Sequence, residues 1–174
     1  GMTERHGILT AFVAVLKLGN QLAIKVVSYI TGEKNKRAFV EKMLAEHREG
    51  VVFKRLDGKY LPGKIENIKK AVAIKVKFYK EGSFIVNAWN QKNSVSLLAI
   101  DGKKRVHVGN VTVHEKYKTQ IVVGGIIRIK YLYATDAGIL YQPNLDPDDN
   151  GKVMRDDQTE SDCLKSQLKY EGKD

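Results

Sequence analysis

Residues 49–64 read EGVVFKRLDGKYLPGK, and the reading of the fold turns on this stretch. Its first part, VVFKR at 51–55, is apolar and β-branched before it turns basic, a strand pattern. Its second part, LDGKYLPGK at 56–64, gathers Gly58, Pro62 and Gly63 and reads as a loop. Downstream, AVAIKVKFY at 71–79 alternates. Val72, Ile74, Val76 and Phe78 fall on one face, and Ala73, Lys75, Lys77 and Tyr79 on the other. Lys75 and Lys77 therefore share a strand face, about 7 Å apart by strand rise.

Upstream, the segments 8–18 and 21–30 are apolar and are separated by the turn signal Gly19-Asn20. The first fits a helix or a buried strand equally well, and the second, LAIKVVSYI at 22–30, reads as strand. Thr31 is placed to cap a helix over about 33–46, with Phe39, Val40, Met43 and Leu44 on one face. Further along, SFIVNAW (83–89), SVSLLAI (94–100), RVHVGNVTV (105–113) and GIIRIKYLYA (125–134) read as strands, with Asp101-Gly102 as a hairpin turn. Short strands at this spacing predict a small sandwich or barrel; an OB-type barrel fits, and periodicity does not separate it from an SH3-like one. Beyond Pro143 the chain turns polar, and residues 159–170 are expected to form a short helix capped by Thr159 or Ser161. The fold class expected is α+β, mostly β.

The chain has 174 residues, with 30 Lys and Arg against 20 Asp and Glu, for a net charge of +10. The excess is uneven: 17 basic and 7 acidic side chains fall in residues 1–80, 8 and 4 in 81–142, and 5 and 9 in 143–174. A concentrated base excess suggests an anionic partner, nucleic acid ahead of a membrane surface, with a solvated basic surface as the plain alternative. No apolar run reaches the roughly 20 residues of a membrane span, and no cleavage site follows a cationic start. Gly1 before Met2 reads as an expression remnant. A single cysteine, Cys163, forbids an intrachain disulfide and a cysteine zinc site, and the four histidines show no metal-ligand spacing. A reducing, cytoplasmic setting is the expectation.

The segment Glu49-Gly50-Val51-Val52-Phe53-Lys54-Arg55, followed by Tyr60-Leu61-Pro62-Gly63, closely resembles motif IV of ATP-dependent DNA ligases. Ile74-Lys75-Val76-Lys77-Phe78 resembles motif V, and Arg155-Asp156-Asp157-Gln158 resembles the RxDK of motif VI with Gln158 in place of the lysine. Between them, residues 123–131 and 138–143 resemble strands of the ligase OB domain, and 163–170 a chain end of a bacterial and phage subgroup. The resemblance implies the end of a nucleotidyltransferase (ATP-grasp-like) adenylation domain over 1–80, an OB-fold domain over 81–160 and a tail or short helix over 161–174. It implies ATP and Mg²⁺ as cofactors, nicked duplex DNA as substrate, and a place in DNA repair or replication. Such enzymes pass AMP from ATP to a lysine and then to a 5′-phosphate, steps that need cations and a divalent metal against phosphoryl oxygens. By the same resemblance Lys75 and Lys77 face the α-phosphate, Glu49 serves a metal or the ribose, Val52 faces the base, and Arg155 meets the pyrophosphate. Lys54 and Arg55, with the Lys103-Lys104-Arg105 cluster beside the hairpin turn, are the candidate DNA contacts. The nucleophilic lysine tetrad Lys-x-Asp-Gly and the aromatic motif III are not found. The chain thus looks like the back half of a ligase, whether shortened, given a wrong start, or a gene fragment, and is expected to form no covalent AMP adduct alone.

Plainer readings stand beside these. Glu49 can end the preceding helix, Lys75 and Lys77 can be edge lysines that deter aggregation, and Arg155 can pair with Asp156 or Asp157 on a surface turn. Lys103, Lys104 and Arg105 can form a solvated turn. Trp89, Tyr131 and Tyr133 are expected in the core rather than as base-stacking platforms, and Cys163 as a buried apolar contact. A stand-alone nucleic-acid-binding module without catalysis, and an RNA ligase or capping-type transferase, are the other functional readings. The absent N-terminal half, or a second copy in a homodimer, would cover the strands 51–55 and 71–79.

Overall fold

The computed structural model describes residues 2–18, 27, 29–58 and 72–170. The strand expected at 22–30 and the loop expected at 56–64 lie largely outside these residues. The chain divides into two compact units, one of residues 1–45 with 50–76 and the other of residues 46–49 with 77–174.

The first unit holds α1 (Met2–Leu18), α2 (Glu33–Ala45), β1 (Gly50–Lys54) and β2 (Ala73–Lys77), whose last residue falls to the second unit. The segment that fitted helix or strand is thus helix. Thr31 does not cap α2. The first helical bond runs from the Lys36 N–H to the Gly32 carbonyl at 3.0 Å, so Gly32 occupies the cap position, at a φ of +81° that glycine takes without strain. β1 and β2 pair as a two-stranded sheet. The Arg55 N–H donates to the Val72 carbonyl and the Phe78 N–H to the Glu49 carbonyl, each at 2.9 Å. These bonds mark the ends of an antiparallel ladder with the same residue count on both sides, so no bulge intervenes and Val52 falls opposite Lys75. Gly58 closes the end of the ladder; a Cβ there would lie 2.2 Å from Val72 Cγ1. Among the described residues of this unit little is core. Val13 and Val51 are buried, α2 buries no residue, and Val52, Phe53, Ile74 and Val76 are 51%, 37%, 37% and 40% exposed.

The second unit is built on β3 (Lys80–Trp89), β4 (Ser94–Asp101), β5 (Lys104–Thr112), β6 (Ile126–Tyr131) and β9 (Asn144–Leu145). Their hydrogen-bonded order is β3-β4-β5-β9-β6, and β6 pairs back to β3 with Ile126 opposite Ile85, so the sheet runs round to its first strand. Alternate residues of these strands fill the interior, Phe84 and Val86, Val95, Leu97 and Ala99, Val111, Ile127 and Ile129, with Val113 just past the end of β5. The run expected as one strand at 125–134 is two. Leu132 turns in to be buried and donates its N–H to the Tyr141 carbonyl at 3.1 Å, leaving Tyr133–Ala134 as β7, paired with β8 (Leu140–Tyr141).

The segment 159–170 is not an α-helix. It forms two short 3₁₀ turns, Glu160–Asp162 and Lys165–Gln167, with Leu164 extended between them. Its backbone is committed to the sheet. The Ile100 N–H donates to the Cys163 carbonyl at 2.7 Å, Leu164 bridges Ile100, and the Ala134 N–H donates to the Lys169 carbonyl at 2.8 Å. Thr159 does sit at a cap, where its N–H donates to the Asp162 carboxylate at 2.8 Å and holds that carboxyl below its usual pKa. Cys163 packs on Ile85 and Ile126, and burial pushes its thiol up to about 11.

Leu97→Ala is expected to destabilise the second unit by about 3 kcal/mol, the cost of a buried leucine and the cavity it leaves. Urea denaturation checks this, and an unchanged midpoint would contradict the packing. The thiol of Cys163 is expected to resist alkylation in the folded chain and to react once urea unfolds it. Because folding raises this pKa, its contribution to stability is complete below the unfolded value and is lost as pH climbs toward about 11.

Candidate nucleotide and nucleic-acid site

Within the first unit, strand alternation and the β1–β2 register put Val52 and Lys75 on one face, both exposed. Lys54, two residues from Val52, shares that face and is exposed. An apolar surface with a lysine beside it is what a base and its phosphate require. Arg55 is engaged instead by Asp57, through bonds of 3.2 and 2.8 Å, and the guanidinium lowers the Asp57 pKa.

Within the second unit, Lys77 Nζ lies 3.9 Å from Glu49 Oε1 and donates to Gln142 Oε1 at 2.5 Å. Two residues assigned from separate sequence motifs therefore meet, and a third, Gln142, joins them. No sequence signal marked Gln142 as a partner of a side chain 65 positions away. Among the described residues no group of three or more His, Cys, Asp or Glu side chains is placed to hold a metal. Glu49 supplies one carboxylate. That fits Mg²⁺, which commonly takes one or two protein carboxylates and completes its shell with water and substrate phosphates.

Arg155 lies on a tight turn in which the Gln158 N–H donates to its carbonyl at 3.3 Å. Its guanidinium donates to both carboxylate oxygens of Asp157, at 3.0 and 3.1 Å, which lowers the Asp157 pKa. The surface-turn pairing is thus the arrangement present. The same polar recess is lined by Arg128, Ser83 and Gln167. Arg128 in turn is balanced by Glu81 at 3.1 Å and Asp146 at 3.0 Å.

The Lys103-Lys104-Arg105 cluster is exposed at the β4–β5 turn. Arg105 is paired with the Glu160 carboxylate, and Asp101 beside it binds Lys165 at 2.8 Å, so Lys103 and Lys104 carry most of the open charge there. Of the aromatic residues, Tyr131 is buried as expected, whereas Trp89 is 39% exposed at the end of β3 and Tyr133 is half-buried, stacked on Tyr141 at 4.7 Å. Trp89 is therefore not core. Close by, Asn90 donates to Ser94 and Asn110, each at 3.1 Å, and Asn87 to Ser96 at 3.1 Å, an uncharged hydrogen-bonding patch that sequence reading missed.

No family model and no curated protein matches the sequence. The solved structures this chain resembles include DNA ligase domains. A Lig E DNA ligase, described for DNA binding with a minimal scaffold, superposes with a TM-score of 0.51 and 17% identity over 74% of this chain and 48% of its own. The ligase domain of LigD from M. tuberculosis gives 0.43 and 17% over 87% and 57%, and a mycobacterial DNA ligase D complexed with ATP and MES gives 0.38 and 17% over the same shares. The chain spans about half the length of these structures. The Lig E likeness establishes a ligase-like fold. Among the described residues no helix is long and apolar enough to cross a membrane.

Proposed function

We propose that this chain is the part of an ATP-dependent DNA ligase that carries motifs IV to VI, the nucleotide-facing strands followed by an OB-fold barrel that grips duplex DNA around a nick. The observation that carries the reading is Val52 opposite Lys75 on one face of β1–β2, in a chain whose fold superposes on a DNA ligase. In this reading Val52 lies under the adenine, Lys75 and Lys77 meet the α-phosphate, and Glu49 holds the ribose or a Mg²⁺ that screens phosphate charge. Arg155 reaches the pyrophosphate once it leaves Asp157. Lys54, Arg55, Lys103, Lys104 and Arg105 contact the DNA backbone, where cations fix position without reading sequence.

The Lys-x-Asp-Gly nucleophile does not occur in the 174 residues. Incubation with radiolabelled ATP and Mg²⁺ is therefore expected to leave no label on a denaturing gel; a band at the 19.6 kDa of the chain would contradict the proposal.

Nicked duplex is expected to bind at low salt and to be released steeply as salt rises, since log–log slope counts about 0.9 per phosphate contact. Lys103→Ala with Lys104→Ala should flatten the slope by about two. Fluorescence anisotropy reads both, and no binding at low salt would sink the DNA half of the proposal.

A further inference from the structure

We propose that Gln142 is a positioning residue that holds the Lys77 ammonium for a phosphate-type anion, and that it does so because its side chain is uncharged. The inference deepens the nucleotide reading above and rests on it for the identity of the anion. Gln142 stands between β8 and β9 with φ at +50°, in the left-handed region that a side chain makes unfavourable. Pro143 follows it, which further narrows the backbone it can adopt. Elsewhere in this unit glycine takes a positive φ at Gly102, Gly109, Gly124, Gly138 and Gly151, and His47 and Asn93 do so as non-glycine residues, at 51° and 31°. At Gln142 the side chain has a use.

That use is visible. Gln142 Oε1 accepts from Lys77 Nζ at 2.5 Å, and the Gln142 carbonyl is itself held by Asn144 Nδ2 at 2.9 Å. The same ammonium faces Glu49 Oε1 at 3.9 Å, and about a third of the Lys77 side chain stays open. An ammonium has three donors. One is committed to Gln142 and another is directed toward Glu49, which leaves a donor for an incoming phosphate and a charge that only the more distant Glu49 carboxylate offsets. A carboxylate at position 142 would hold the lysine as well but would cancel the charge that the anion needs.

Brief acetylation with acetic anhydride at one fixed pH, read by mass spectrometry as the ratio of Lys77 to Lys75 modification, tests this. Gln142→Ala should raise the ratio about fivefold, the factor for one lost hydrogen bond, and Gln142→Glu should leave it low. Gln142→Gly, which keeps the backbone conformation without strain, must match the alanine variant and guards against a folding defect. An unchanged ratio in Gln142→Ala and Gln142→Gly would overturn the positioning role. Inorganic pyrophosphate should slow Lys77 acetylation in the unmodified chain and fail to do so in Gln142→Glu. Equal protection in both would overturn the role assigned to the neutral amide. Protection in neither would refute the phosphate-binding reading itself, while the ratio without ligand still decides whether Gln142 holds Lys77.

Discussion

The second unit depends on a strand of two residues. β9 pairs in parallel with β5 through Asn144 and Thr112, and antiparallel with β6 through Asn144 with Lys130 and Leu145 with Ile129. Without it β5 and β6 would present open edges, and the apolar interior from Val86 to Val153 would meet water. Leu145 is buried on the inner face, and Asn144 on the outer face holds the Gln142 carbonyl. The residue that binds Lys77 is therefore fixed by the same short segment that brings the sheet round. Position 142 can bear a strained backbone because β8 before it and β9 after it are both anchored.

The net charge of +10 overstates the charge on offer. Arg55, Arg105, Arg128 and Arg155 each face a carboxylate, and Lys152 and Lys165 do too. Most of these pairs are on the surface, where solvent and salt screen them and they add little to stability. Their larger effect is to decide which cations an anion meets first. Lys75, Lys103 and Lys104 stay exposed, and Lys77 is held by an amide at 2.5 Å with the Glu49 carboxylate farther off at 3.9 Å. Phosphate competing for Arg105 or Arg155 must displace Glu160 or Asp157, so those sites bind an anion at a cost that Lys103 and Lys104 do not carry.

β2 to β6 were legible because 71–79 and the strands from 83 onward alternate; β3 to β6 bury residues, whereas both faces of β2 are largely exposed. The lysine face of β2 was legible for the same reason. α1 was not, since residues 8–16 are apolar at every position but Thr10 and set no clear period; Ile8, Leu9, Phe12 and Val15 are exposed in the structure. β7, β8 and β9 are two residues each, too short for any pattern. The tail carried a good cap at Thr159 and apolar residues at Leu164 and Leu168, which read as a helix, yet its carbonyls go to Ile100 and Ala134. The pairings of Arg155 with Asp157 and Lys77 with Gln142 differ in kind. The first is local and was one of two alternatives in the sequence, while the second joins distant segments through a backbone conformation that no residue type announces.

The central claim is that Val52, Lys75 and Lys77 receive a nucleotide. An amide NMR titration of the isotopically labelled chain with ATP and Mg²⁺ tests it most directly. The account predicts shifts gathered on β1 and β2 and at Gln142, with the barrel interior unmoved. Shifts absent from β1 and β2, or scattered evenly over the exposed lysines, would contradict it.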